Sequence, residues 1–66
     1  MTSRYPKIKV PLVGIDGNAY VILGHVQAAL RRGGVSQEEI VKFRKEATSG
    51  DYDNVLQTVM RWVDVT

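Results

Sequence analysis

Leu12-Val-Gly-Ile-Asp-Gly-Asn-Ala-Tyr-Val-Ile-Leu-Gly-His-Val-Gln-Ala-Ala-Leu-Arg-Arg32 reads as the end of a strand, a tight turn and an amphipathic helix. Ala19, Ile22, Leu23, Val26, Ala29 and Leu30 recur at i, i+3, i+4 and i+7 spacing. A helix from about Ala19 to Arg32 therefore gathers them into one buried stripe. Tyr20, Gly24, Gln27 and Arg31 fall on the opposite row, and Val21, His25, Ala28 and Arg32 on the flank. Arg31 and Arg32 suit the negative end of the helix dipole, and Gly33-Gly34 ends the helix. In the turn, Asp16 supplies a carboxylate for nearby N–H groups and Gly17 a residue free to take positive φ. Either Asn18 or Asp16 can cap the helix.

Working outward toward the N-terminus, Lys7 to Val13 alternates, with Ile8, Val10 and Leu12 on one face and Lys7, Lys9 and Pro11 on the other. Period two predicts a half-buried strand. Pro11 lacks an N–H and so places it at an edge or gives it only a short pairing, while the two lysines discourage aggregation through that edge. Residues 1–6 are expected to be a disordered leader.

Toward the C-terminus, Ser36 and Glu39 have capping-box spacing, with Val35 and Ile40 as a hydrophobic staple. They predict a second helix from about Gln37 to Thr48, with Ile40, Phe43 and Ala47 inward. Asp51 caps a third, with Tyr52, Val55, Leu56, Val59, Met60 and Val63 inward. Residues 61–66 can continue that helix or form a strand with Val63 and Val65 on one face. An isolated N-terminal strand would leave its backbone groups unpaired, and this tail is the only other β-like segment. The expected fold is a small single α+β domain over residues 1–66. It has an N-terminal strand, three helices and a short C-terminal strand paired with the first. Bridging to a second subunit is the competing arrangement.

Composition narrows the function. At 66 residues the chain buries about 60% of its unfolded surface, a thin margin for stability. With no cysteine and one histidine, neither a disulfide nor an ordinary zinc site can reinforce it. Good helix packing or a homodimer is left to do so. No apolar run reaches the roughly 20 residues of a membrane helix, and the N-terminus lacks the apolar core of a signal peptide, so the expected location is cytoplasmic. The net charge of +2 is uneven. Residues 1–32 hold Arg4, Lys7, Lys9, Arg31 and Arg32 against Asp16 alone, and the acidic residues concentrate in the second half. A basic half can face an anionic partner or can simply be a solvated surface.

Several motifs fall short of the chemistry they suggest. Gly14-x-x-Gly17 before a helix lacks the rest of a phosphate loop, and Asp16 puts negative charge where a phosphate would sit. Asp51-x-Asp53-Asn54 opens like a calcium loop, but its sixth position is Leu56 and its twelfth Trp62. Gln27 to Ile40 resembles a helix-turn-helix, yet the second helix would present Glu38 and Glu39 to phosphates. A plain helical hairpin explains it better. His25 has no carboxylate one turn away, and no nucleophile–base–orienter set is evident.

Val13-Gly14, Asp16-Gly-Asn-Ala19, the Ile-Leu-Gly helix and Ser49-Gly-Asp-Tyr52 before a Trp-Val tail resemble a group of small uncharacterised bacterial and phage proteins. The resemblance covers most of the chain from about Lys7. It implies a phage or mobile-element context and no site residues. The expectation is a non-catalytic interaction or adaptor domain without metal or cofactor, its contact face formed by Tyr20, Gly24, Gln27 and Arg31. Trp62 is expected in the core. The alternative is a nucleic-acid-binding accessory protein using Lys7, Lys9, Arg31 and Arg32.

Overall fold

A computed structural model describes residues 3–12, 14 and 17–66. The element order is β1 (Tyr5–Val10), α1 (Ala19–Arg32), α2 (Gln37–Ala47), α3 (Tyr52–Trp62) and β2 (Val63–Val65). β1 and β2 form a two-stranded parallel sheet, with Tyr5 opposite Val63, Lys9 opposite Asp64 and Val10 opposite Val65. A parallel pair needs a long crossover, and the three helices supply it. The chain is thus a small α+β domain whose last strand pairs with its first.

The strand lies earlier than the alternation predicts. Tyr5 and Pro6, assigned by sequence to the leader, belong to β1, and the strand stops at Val10 rather than Val13. Two contacts draw the N-terminal residues in. Arg4 N–H donates to the Arg61 carbonyl at 2.8 Å, and the Tyr5 ring lies 5.9 Å from that of Trp62. Pro6 sits where the register is irregular, between Tyr5 and Lys9, so its missing N–H does not interrupt regular pairing. Val13 itself, Asp16's share in the turn and cap, and Met1 and Thr2 of the leader lie outside the described residues.

Each helix is bounded by local chemistry. The Asn18 side chain accepts from Tyr20 N–H at 2.8 Å to open α1. Its end is a Schellman motif: Val35 N–H reaches the Leu30 carbonyl at 3.0 Å, and Gly34 N–H the Arg31 carbonyl at 3.1 Å. Gly34 takes a φ of +84° to close it. In the preceding turn Gly14, not Gly17, has positive φ. Ser36 caps α2 through Glu39 N–H at 3.3 Å. The reciprocal half of the capping box is not formed among the described residues, because Glu39 Oε1 is turned to Arg4 and Tyr5. Asp51 caps α3 through Asn54 N–H at 3.0 Å. The Asn54 amide reaches back to the Glu46 and Ala47 carbonyls at 2.9 and 3.2 Å, satisfying the open end of α2.

The core forms where the helical stripes meet. Leu30 and Val26 of α1 pack with Phe43 of α2 and Val59 of α3, and Val10 and Val63 close it from the sheet. The inward stripe of α3 differs from the expectation. Val55, Thr58, Val59 and Trp62 are buried, whereas Tyr52 and Met60 are about half exposed. Turning Trp62 inward rotates those two out and brings Thr58 in. Thr58 tolerates burial because its hydroxyl accepts from Arg61 Nη2 at 3.2 Å. Trp62, 2% exposed, meets Phe43 edge-on at 5.5 Å and donates its indole N–H to Glu46 Oε2 at 3.2 Å. Arg4 lies over its ring at 4.6 Å.

Candidate interaction surface

Of the outer α1 row, Tyr20 and Gly24 line two different depressions. Tyr20 is 78% exposed at the first turn of α1, Gly24 and Arg31 are exposed further along, and Gln27 is half-buried. Tyr20 borders an apolar depression of about 290 Å³ between α1 and α3. Its aliphatic lining comes from Ala19, Leu23 and Val55, and Tyr52 and Asp51 border it from the start of α3. Gly24 instead lines a separate, broader depression with Val21, His25, Ala28 and Arg32. A Cβ built on Gly24 meets nothing within 4 Å among the described residues, so close backbone packing among them does not explain the glycine.

The partner of Tyr20 on this surface is therefore Tyr52, which the sequence reading turned inward. Tyr52 is 46% exposed, and its hydroxyl donates to the Gly17 carbonyl. That bond ties the start of α3 to the turn before α1. Gly17 and Tyr52, 35 residues apart in sequence, thus meet at one end of the molecule. No periodicity carries that signal. The available hint is Tyr52 beside a capping aspartate, a place where an aromatic stands at the helix entrance rather than on its core face.

Among the described residues the lining of the Tyr20–Tyr52 depression contains Asp51 and no basic side chain, while Arg44 and Lys45 are exposed in the last turn of α2, which leads to Thr48 of that lining. Asp51 Oδ1 accepts the α3 cap bond, which leaves further acceptor capacity on the carboxylate. Arg31 and Arg32 are exposed at the far end of α1. Ile8 of β1 packs toward that end, since a Cβ on Gly33 would lie 2.6 Å from its Cδ1. Strand alternation about Ile8 and Val10 then turns the exposed Lys9 away from α1, while Lys7 falls in the stretch of irregular register between Tyr5 and Lys9.

Among the described residues no group of three or more His, Cys, Asp or Glu side chains could hold a metal ion. The Asp51–Asn54 segment is occupied with capping α3 and closing α2. No helix among them is long and apolar enough to cross a membrane. No family model, curated protein or solved structure matches this chain.

Proposed function

We propose that this domain is a non-catalytic protein-interaction module that holds a segment of another protein between Tyr20 and Tyr52. The observation that carries the reading is the pair of exposed tyrosines bordering one apolar depression. Tyrosine is enriched in protein interfaces because it offers a large, stiff contact surface with a polar tip. A solvent-exposed tyrosine beside aliphatic side chains gains by being covered. A cytoplasmic, phage- or mobile-element setting, as the sequence resemblance implies, belongs to the same proposal. Nucleic-acid binding draws less support, because alternation about Ile8 and Val10 turns Lys9 away from the helix that carries Arg31 and Arg32.

The test is photo-cross-linking in the native cell, with a benzophenone amino acid replacing Tyr20, Tyr52 or, as a control on the exposed side of α2, Lys42. The expected result is one protein adduct shared by positions 20 and 52 and absent at 42. If 20 and 52 give no adduct, or only the adducts seen at 42, the surface is not the contact site.

A further inference from the structure

We infer that residues 3–5 are a clasp that closes over Trp62 and opens as a unit while the three helices stay folded. The register of the sheet is the first argument. Tyr5 stands opposite Val63, and the next pairs are Lys9 with Asp64 and Val10 with Val65. β1 thus advances from Tyr5 to Lys9 while β2 advances only from Val63 to Asp64, which breaks the register between the two halves of β1. Pro6, with no N–H to give a ladder, lies in that break. Past it, Ile8 is anchored beside Gly33 at the end of α1. The segment before the break can therefore leave without disturbing the Lys9 and Val10 pairs.

What holds the clasp is the second. Its backbone is tied by the Arg4 N–H to the Arg61 carbonyl at 2.8 Å. Its polar side-chain contacts converge on one oxygen: Arg4 pairs with Glu39 Oε1, and the Tyr5 hydroxyl donates to the same atom at 3.1 Å. Both ends of that ion pair are partly exposed, 45% for Arg4 and 28% for Glu39, so water and salt compete for it. Ordering the backbone of residues 3–5 costs entropy of the same order as a handful of such contacts returns.

Trp62 supplies the third. Arg4 lies over its ring at 4.6 Å and the Tyr5 ring stands 5.9 Å away, whereas Phe43 and Glu46 hold it from α2. Opening removes the first two contacts and keeps the second two. The indole, 2% exposed with the clasp shut, then turns a face to solvent, and the Glu39 carboxylate loses its cation. The clasp is a conformational device that keeps an aromatic of the kind that anchors interfaces covered until it opens.

Trp62 is the only tryptophan, so its fluorescence reads the clasp directly. Glu39→Gln removes the charge and leaves a residue suited to the first turn of α2. Quenching by acrylamide, which is neutral, should rise about two- to fivefold in this variant, the size of an exposed ion pair, with the helical circular dichroism unchanged. About 0.5 M sodium chloride should raise quenching in wild type and add little to Glu39→Gln. In wild-type amide exchange, the Arg4 N–H should be at least about tenfold less protected than those of Val26 and Val59. It should also be less accelerated by about 1 M urea, since opening the clasp exposes less surface than unfolding does.

Equal protection and equal urea response at Arg4 and Val59 overturn the inference, because the clasp then leaves only when the whole fold does. Quenching that neither Glu39→Gln nor salt changes also overturns it. So does quenching that rises only together with loss of the helical circular dichroism.

Discussion

At Gly34 the backbone turns through a φ of +84° so that its N–H and that of Val35 can reach the last carbonyls of α1. Among the described residues nothing stands within 4 Å of the position a Cβ would take there, so the positive φ is the constraint. Gly34→Ala is expected to destabilise the fold by about 1 kcal/mol, because an L side chain is strained in that region. Gly24 is equally open but lies inside α1 and has no positive φ. Gly24→Ala should therefore stabilise by about 1 kcal/mol through helix propensity alone. Urea unfolding monitored by circular dichroism should move the two midpoints in opposite directions. A destabilising Gly24→Ala would mean that the helix surface there is packed in a way the isolated chain does not contain.

At the scale of elements, α2 and α3 are joined by the Asn54 amide, which donates to two carbonyls in the last turn of α2. Asn54→Ala should cost about 1 kcal/mol by removing the side-chain donor to the Ala47 carbonyl, while the Glu46 carbonyl keeps its bonds from Ser49. It should also raise amide exchange at Thr48, Ser49 and Gly50 more than at the β1–β2 pair; uniform acceleration would show that Asn54 supports the whole fold rather than this junction. The elements also show where sequence reasoning reached and where it stopped. The α1 stripe and the Ser36 and Asp51 caps were legible because they depend on spacing and chemistry within a turn or two. The rotation of α3 was not, because Met60 and Thr58 trade places according to where Trp62 finds its partners. Those partners are Phe43, Glu46, Tyr5 and Arg4, distant in sequence. Tyr5 and Arg4 look like tail residues until the tryptophan they cover is in place.

For the whole molecule, the Cα radius of gyration is 10.6 Å, close to the roughly 11 Å of a compact chain of this length. Folds of this size have only about 3–5 kcal/mol in reserve. Phe43, fully buried where α2 meets Trp62, is the largest completely enclosed side chain. Phe43→Ala removes about 3–5 kcal/mol, which consumes the margin. Circular dichroism at 25 °C should show a largely unfolded chain; a cooperative melt above 50 °C would mean that association or unrecognised packing adds stability. The candidate surface belongs to this scale too. Sequence placed Tyr20 outside but joined it to Gly24, Gln27 and Arg31 along a single helix. Tyr52, which borders the same depression, arrives from α3 only once the chain has folded back on itself.

The proposed contact surface is Tyr20 with Tyr52. Its most direct test is the affinity of the purified chain for the protein cross-linked at position 20, compared between wild type and Tyr20→Ser. A central aromatic anchor of an interface is worth about 2 kcal/mol or more, so binding should fall by more than tenfold. The melting temperature should stay within a few degrees, since Tyr20 is 78% exposed. Unchanged affinity in a normally folded Tyr20→Ser chain would contradict the account.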